Sequence, residues 1–206
     1  MTHDTSSAAE RFAAYYAAPR APWDIQRPQR AFLDAGDSIH GRVLDAGCGT
    51  GDLAIWLAGR GCAVTAVDLL AAPLAAARRK AAERGVQVNF LQMDALAVGE
   101  LPERYDSVTD CGLFHTFDDA GREAYVASLG RLLEPGARLF LLCMATAEPG
   151  SHGPRRVSAE ELQAAFHTAW EIERLAPARF EVVPGIPGAE FSSGGAHAWF
   201  ATVRRR

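Results

Sequence analysis

Glycine recurs at every second position in one short stretch of this chain, and an acidic residue stands on each side of it. The stretch follows an apolar pair and reads Asp45-Ala46-Gly47-Cys48-Gly49-Thr50-Gly51-Asp52. Because glycine has no Cβ, such a loop lets its backbone approach a ligand closely. The apolar residues after Asp52 repeat with the period of a helix. We therefore predict a strand, a loop and a helix N-terminus, an arrangement that binds nucleotide-like ligands.

A further acidic residue, Asp68, closes the next apolar run, residues 63–67. An acid at the end of a second strand accepts hydrogen bonds from both ribose hydroxyls of a nucleotide-like ligand. Three interpretations of the glycine loop are open. The first is a pyrophosphate-binding loop, which is expected to read G-x-G-x-x-G/A. The second is a site for a ligand with a cationic amine, because the carboxylates of Asp45 and Asp52 would repel a pyrophosphate and attract such an amine. A glycine turn that holds no ligand is the third interpretation.

The elements that must position these residues are predicted from the spacing of apolar and capping residues. The predicted strands after the loop are residues 63–68, 88–93, 105–111, 138–144, 170–175 and 196–203, and the helices include residues 71–84, residues 118–133 and one that begins at Ser158. Their alternation predicts a three-layer α/β fold with a mostly parallel sheet. Ligands of such sheets bind beyond the carboxyl ends of the strands, which gathers Asp45, Asp68, Asp94 and residues 111–115 at one edge.

The amino-terminal segment carries aromatic residues among prolines. We predict a first helix through Tyr15 and Tyr16, and a second that begins near Pro28 and carries Phe32 inward. Residues 1–40 are predicted to form a lid that excludes water and completes the acceptor pocket. The alternative is a helix that packs permanently on the core.

Length and composition exclude some classes of function. A chain of 206 residues fits a single domain, residues 1–206. The net charge of −4 does not provide the excess of positive charge that binding to nucleic acid requires. We interpret the basic run at residues 204–206 as a frayed, solvated terminus. No apolar run is long enough to span a bilayer, so no membrane partner is expected. The cysteines form no C-x-x-C pair, which is typical of reduced thiols in a cytoplasmic protein; they are Cys48, Cys62, Cys111 and Cys143.

The D-x-G-x-G-x-G loop resembles motif I of the class I S-adenosylmethionine-dependent methyltransferases. This resemblance implies S-adenosylmethionine as the cofactor, no metal, and a Rossmann-like sheet of strand order 3-2-1-4-5-7-6 with the last strand antiparallel. It also implies that Asp94 recognises adenine, for which a helix cap is the alternative, and that Cys48 contacts the ligand through its backbone. The cofactor-binding residues predicted on this basis are Trp23, Asp45, Gly47, Cys48, Gly49, Gly51, Asp68, Leu69, Asp94, Ala95 and Cys111.

Other segments point to a subgroup of these enzymes. The segments are Trp23-Asp24-Ile25, Pro28-Gln29, Asp110-Cys111-Gly112-Leu113-Phe114-His115 and Pro154-Arg155-Arg156-Val157-Ser158. They are similar to small bacterial methyltransferases of heterocyclic toxins and quinolone-like phenols, which themselves resemble thiopurine S-methyltransferases. These relatives usually carry glycine where Gln26 stands. The resemblance implies methyl transfer to nitrogen, oxygen or sulfur of a small aromatic substrate, with Tyr16 and Phe114 facing that substrate, and we expect a monomer or homodimer.

His115 is the candidate general base, because imidazole has an unperturbed pKa of about 6.5. The alternative is a histidine that caps the next helix or shapes the pocket. The Asn/Asp-Pro-Pro-Tyr motif of enzymes that methylate exocyclic base amines does not follow the fourth predicted strand, which argues against DNA or RNA as substrate. The alternative functions are an O-methyltransferase of quinone biosynthesis and a non-catalytic S-adenosylmethionine-binding regulator. An NAD-dependent oxidoreductase ranks last on the spacing of the loop.

Overall fold

A single sheet organises the computed structural model, which describes residues 10, 12–16, 21–186 and 190–206. Its strands are β1 (Arg42–Ala46), β2 (Ala63–Asp68), β3 (Asn89–Gln92), β4 (Tyr105–Cys111), β5 (Leu133–Met144), β6 (Trp170–Phe180) and β7 (Ala196–Arg205). Their order is β3-β2-β1-β4-β5-β7-β6. β7 runs antiparallel to β5 and β6, and the other neighbouring pairs are parallel. The predicted three-layer, mostly parallel α/β fold and its strand order are confirmed.

The helices are placed by caps that the sequence carries. They are α1 (Arg30–Asp34), α2 (Asp52–Gly59), α3 (Ala71–Glu83), α4 (Asp119–Leu132) and α5 (Ala159–Ala165), with 3₁₀ turns at Ala95–Glu100 and Phe114–Thr116. Asp118 caps α4 by accepting from the Gly121 N–H, and Ser158 with Glu161 forms a capping box on α5. Residues 12–16 are also helical. In the part of the chain that the structure describes, no helix is long and apolar enough to cross a membrane.

Side chains of the central strands alternate between two apolar layers, because successive residues of a strand point to opposite faces. Val43 and Phe140 pack in the layer that contains α1, α2 and α3. Leu44 and Leu139 pack in the layer of α4 and α5. Both faces of the sheet are therefore covered, which explains why its strands read as nearly continuous apolar runs.

β5 begins earlier than the sequence predicts. Leu133 already pairs with Tyr105, whereas Arg138 pairs with Ser107. The register therefore shifts here, because β5 contains more residues than β4 between these two pairs. Gly136 supplies a left-handed φ of 96° in this irregularity. The turn predicted before residue 138 is present, but it lies inside the strand.

The prediction of a frayed carboxyl terminus is wrong. Arg204 lies in β7 and pairs with Glu171 at 2.5 Å and Glu173 at 3.1 Å. The Arg205 guanidinium lies 5.5 Å from the centre of the Trp170 ring. The basic residues belong to the sheet because β6 presents acidic and aromatic side chains in the matching register.

Gln26 has a left-handed backbone, with φ of 58°. This conformation costs a side-chain-bearing residue about 1–2 kcal/mol, and the extra entropy that glycine loses on folding offsets about 0.5–1 kcal/mol of that cost. We expect Gln26→Gly to raise the free energy of unfolding by up to about 1 kcal/mol in urea titrations. Gln87 is also exposed, but its φ is not positive, so Gln87→Gly should lower the free energy of unfolding. Equal losses in both variants would contradict the assignment of strain to Gln26.

Candidate active site

The glycine loop adopts the backbone conformation that glycine permits. Its φ values are 68° at Gly47, 54° at Gly49 and 80° at Gly51, which other residues rarely adopt. A Cβ added to Gly51 would lie 2.8 Å from the Cβ of Ala77 in α3. The loop and α3 therefore pack too closely for a side chain at that position.

A lysine of α3 braces the end of the loop. Lys80 Nζ lies 2.6 Å from Oδ2 of Asp52 and 2.9 Å from the Thr50 hydroxyl. The charge of Asp52, one of the two carboxylates expected to suit a cationic amine, is therefore compensated by Lys80. Sequence reasoning missed Lys80, which lies 28 residues from Asp52. The signal available was the basic side of the alanine-rich helix.

Asp45 lies in β1 with only 2% of its surface exposed. Its Oδ1 accepts the Thr109 hydroxyl at 2.7 Å. Its Oδ2 is buried without a partner at hydrogen-bond geometry among the described residues, while the Ala54 backbone N–H favours the ionised form of the carboxyl. Burial raises the pKa of Asp45 to about 7, and the neighbouring Asp110 carboxyl acts in the same direction. A buried polar atom without a partner is costly. This oxygen therefore fits a ligand that brings a cationic N–H donor.

Asp68 ends β2 and joins that strand to the loop. One carboxylate oxygen accepts the Gly49 N–H and the other accepts the Leu70 N–H, both at 2.9 Å. Burial raises the pKa of Asp68. The carbonyl of Leu69 accepts the side-chain amide of Gln92 at 3.1 Å. The structure thus brings Asp68, Leu69 and Gly49 together at the carboxyl edge of the sheet.

Asp94 follows β3 at the same edge. Its Oδ1 accepts the Leu96 N–H at 2.9 Å and caps the 3₁₀ turn that begins at Ala95, which is itself buried. The capping role that we held as the alternative is therefore confirmed. The adenine-recognition role of Asp94 stays a prediction.

Aromatic side chains of the amino-terminal segment gather over the loop. Edge-to-face contacts surround the Trp23 ring, at centroid distances of 5.9 Å for Phe12, 4.9 Å for Tyr15 and 6.0 Å for Tyr16. A Cβ added to Gly49 would lie 2.8 Å from the Tyr16 hydroxyl oxygen. Burial raises the pKa of Tyr16, and the Asp68 carboxylate adds to this effect. Tyr16 thus touches the glycine loop, and its contact with a substrate stays a prediction.

The next part of this segment is bound to the end of β6. The Val183 N–H donates to the Pro22 carbonyl at 2.8 Å, and the Gln29 side chain exchanges two hydrogen bonds with the Glu181 backbone at 2.9 and 2.7 Å. These bonds favour the permanently packed alternative for residues 22–29. The lid function stays a prediction for the helical residues 12–16.

Comparison with known proteins decides the family. Residues 43–136 match a family described as a methyltransferase domain. The 2-heptyl-1-hydroxyquinolin-4(1H)-one methyltransferase of Mycobacteroides abscessus is 38% identical over 194 residues, which are 91% of this chain and 82% of that protein. The chain belongs to the S-adenosylmethionine-dependent methyltransferases.

Two solved structures and one further sequence relative are also similar to this chain. A structure solved for the conversion of a disulfide bond into a thioacetal group during echinomycin biosynthesis is 34% identical, with a TM-score of 0.83 over 95% of this chain and 92% of that one. The 1,6-didemethyltoxoflavin-N1-methyltransferase of Burkholderia thailandensis is 25% identical, with a TM-score of 0.73 over 100% and 91% of the chains. A ubiquinone biosynthesis O-methyltransferase of Pseudomonas putida is 37% identical over 53% of this chain and 47% of its own length.

His115 of this methyltransferase lies in a different environment from the one that a general base requires. Its ring is 5% exposed, and its Nδ1 accepts the Met144 N–H at 3.0 Å. Burial lowers the pKa of His115 to about 3, and the cations Arg122 and Arg156 act in the same direction. The neutral ring carries its proton on Nε2, so no lone pair is left to accept a proton. These observations favour the structural alternative, and the general-base role of His115 stays a prediction.

Phe114 also departs from its predicted role. Asp110 accepts the N–H groups of Leu113 and Phe114, which folds the turn after β4 back onto the core. The Phe114 ring is fully buried, 5.8 Å from the Phe166 ring and 4.8 Å from the Arg122 guanidinium. It packs between α4 and α5, so the expectation that it faces the substrate is wrong.

Two cysteines near the site are held away from the thiolate form. Burial raises the pKa of Cys48 and of Cys111 well above the ordinary value, and the Asp45 carboxylate adds to both shifts. Since the thiolate is the nucleophile, this shift argues against thiol chemistry at Cys48. Within the described ranges, no group of three or more His, Cys, Asp or Glu side chains could hold a metal ion.

We expect Asp68→Ala to weaken S-adenosylhomocysteine binding by about 1.5–3 kcal/mol, the contribution of hydrogen bonds to a charged group. Titration calorimetry measures the change. Asp106→Ala is the matched control, because Asp106 also accepts a backbone N–H, that of Arg42 at 2.7 Å, but at the opposite edge of the sheet. An affinity that is unchanged in Asp68→Ala, or lowered equally in both variants, would refute the ribose role.

Asp45 should make cofactor binding depend on pH. A ligand ammonium pairs with the ionised carboxyl, whose pKa is raised to about 7, so binding below that pH must expel a proton. We expect the association constant for S-adenosylhomocysteine to rise by up to about tenfold per pH unit below pH 7 and to level off above it. Asp45→Asn should remove this slope. Asp110, with its pKa raised to about 6, titrates nearby, and a slope that survives in Asp45→Asn would assign the proton to another group.

Proposed function

We propose that this methyltransferase transfers a methyl group from S-adenosylmethionine to an oxygen, nitrogen or sulfur atom of a small aromatic heterocycle. The observation that carries the proposal is the similarity, over 91% of the chain, to a relative whose name states a hydroxyquinolinone acceptor. The Burkholderia neighbour, solved with 1,6-didemethyltoxoflavin and S-adenosylhomocysteine, supports a heterocycle as well. Quinone O-methylation is the second candidate, supported by a relative of which the chain spans 47%.

Three aspartates at the carboxyl edge bind different parts of the cofactor. Asp45 receives the ammonium group at its unpaired Oδ2, Asp68 the ribose hydroxyls and Asp94 the adenine amine. The backbone of residues 47–51 approaches the ligand where no Cβ intervenes. When bound, S-adenosylmethionine supplies a methyl group that its sulfonium already activates. The protein therefore has to position the acceptor and exclude water, and the aromatic rings around Trp23 cover the loop for this purpose.

The acceptor's proton needs no protein base in this proposal. His115 has its Nδ1 engaged by the Met144 N–H, and its pKa is lowered to about 3. We infer that the acceptor atom ionises by itself, as an acidic ring hydroxyl, an N-hydroxyl or a thiol does. Exclusion of water from the site would favour such an anionic acceptor, because an anion and a cationic methyl donor attract each other more strongly away from water.

The proposal also covers domain organisation, oligomeric state and location. We propose that residues 1–206 form a single domain and that the enzyme is a monomer or a homodimer. The acidic net charge of −4 supports a small-molecule substrate over nucleic acid. The four unpaired cysteines support a cytoplasmic location, where thiols stay reduced.

Radiolabelled methyl transfer tests the function directly. The enzyme is incubated with labelled S-adenosylmethionine and separate hydroxyquinolines, N-hydroxyquinolones, heterocyclic thiols and quinols. We expect label in the first three groups. Label in quinols alone would favour the second candidate, and cofactor binding without labelled product from any acceptor would favour a regulator.

His115→Asn is expected to keep kcat and its pH profile, because the asparagine amide oxygen still accepts the Met144 N–H. His115→Phe leaves that N–H buried without a partner and should lower the free energy of unfolding by about 1–3 kcal/mol. The acidic limb of the pH–rate profile should follow the pKa of the acceptor across a series of hydroxyquinolines. A limb that stays at one pH for all acceptors and disappears in His115→Asn would restore the general-base role.

A further inference from the structure

The side chains of the turn after β4 point in two directions. The Phe114 ring is fully buried and His115 is 5% exposed, so both belong to the interior. Leu113, one residue earlier, is only partly buried. A Cβ added to Gly47 would lie 3.1 Å from the Cβ of Leu113 and 3.2 Å from each of its methyl carbons. Leu113, unlike Phe114, therefore lies on the glycine loop.

The backbone of Leu113 is fixed on both sides. Its N–H donates to Oδ1 of Asp110 at 2.9 Å, and its carbonyl accepts the N–H of Thr116 at 2.9 Å and the Thr116 hydroxyl at 2.7 Å. The Gly112 N–H, directly before it, donates to the Leu142 carbonyl at 2.9 Å. Asp110 is fully buried, which shields its bond to Leu113 from water. These bonds hold the Leu113 side chain in one place.

Gly47 and Leu113 stand on the two sides of a topological switch point. Gly47 follows β1, whose next strand along the chain, β2, lies on one side, whereas Leu113 follows β4, whose next strand, β5, lies on the other side. β1 and β4 are parallel neighbours, with Ala46 opposite Asp110. Ligands of open α/β sheets bind beyond the carboxyl ends of the strands at such a point. Leu113 therefore borders this crevice on the side away from the proposed ribose residue Asp68.

An apolar side chain at this place suits methyl transfer from a cationic donor. Leucine has no hydrogen-bonding group in its side chain, so it does not hold water in the crevice, and its branched end packs against the flat face of an aromatic ring by dispersion. Exclusion of water strengthens the attraction between a cationic donor and an electron-rich acceptor. The part of Leu113 that the loop leaves exposed offers an acceptor ring a contact of this kind.

We propose that Leu113 positions the acceptor, packing against one face of its aromatic ring and excluding water beside the methyl donor on the glycine loop. The inference rests on the proposed function and names a specificity-determining residue for it. Each buried methylene strengthens binding about fourfold. Leu113→Ala removes three carbon atoms that the loop already covers in part, so the expected loss is about tenfold.

Titration calorimetry with the enzyme saturated in S-adenosylhomocysteine gives the Kd of 4-hydroxyquinoline, and kcat/KM is measured in parallel. Leu113→Ala should raise this Kd and lower kcat/KM, each about tenfold. Leu113→Met keeps the apolar volume and should restore most of both values. Leu113→Asn has nearly the shape of leucine but is polar, and it should restore neither. The Kd of S-adenosylhomocysteine should stay within about threefold in all three variants, less than the cost of one buried methylene.

Leu175→Ala is the matched control. Leu175 is a partly buried leucine of β6 that packs in the same apolar layer as Leu113, and its loss should change neither the Kd of the acceptor nor kcat/KM. Leu113→Phe tests specificity. A larger side chain narrows the crevice, so kcat/KM should fall more for the bicyclic 4-hydroxyquinoline than for the monocyclic 4-hydroxypyridine. A residue that only supports the loop would leave this ratio unchanged.

The outcomes separate the inference from the proposed function. A Leu113→Ala variant that weakens S-adenosylhomocysteine binding but keeps the Kd of the acceptor overturns the inference and makes Leu113 a support of the loop. Methyl transfer that is unchanged in every Leu113 variant also overturns it and leaves the proposed function standing. Acceptor binding that depends on Leu113, without methyl transfer to any acceptor, refutes the proposed function alone. A parent enzyme that binds neither ring compound overturns the inference.

Discussion

The carboxyl group of Asp45 is buried in the central strand β1, with one oxygen bonded to Thr109 and the other without a partner in the described part of the chain. An ionised group in such a place costs several kcal/mol unless a charge of opposite sign compensates it. The cost raises the pKa of Asp45 to about 7. The group is thus balanced between taking a proton and taking a ligand cation. The remaining features of this edge serve to bring such a ligand within reach.

The loop beside Asp45 is ordered before any ligand arrives. Cys48 bonds to the end of β2, and Gly49 bonds to the carboxylate of Asp68. Lys80 fixes Thr50 and Asp52 from α3. Because these contacts connect three separate elements, the loop that we propose as the cofactor site loses little freedom on binding. Preorganisation of this kind reduces the entropic cost of association.

The opposite half of the edge is held by polar side chains that are bonded to backbone groups. Glu148, 3% exposed, accepts the N–H groups of Ser192 and His197 at 2.9 and 2.7 Å. The Arg156 guanidinium donates to several carbonyls of the loop after β5, among them that of Pro154 at 2.7 Å. His115 acts in the same way, because its Nδ1 accepts the N–H of Met144. Burial makes the bonds of Glu148 and His115 expensive to break, which keeps this half of the edge in place.

The sequence by itself determined the order of strands and helices and the glycine loop at the end of β1, because periodicity and the conformational freedom of glycine are local properties. It also placed Asp45, Asp68 and Asp94 at one edge, since every parallel strand ends there. Only the tertiary structure decided which polar groups remain available to a ligand. Lys80 neutralises Asp52 from 28 residues away, and Met144 engages His115 from 29 residues away. Hydrogen bonds and ion pairs between residues so far apart depend on how the layers pack, and no linear pattern encodes that distance.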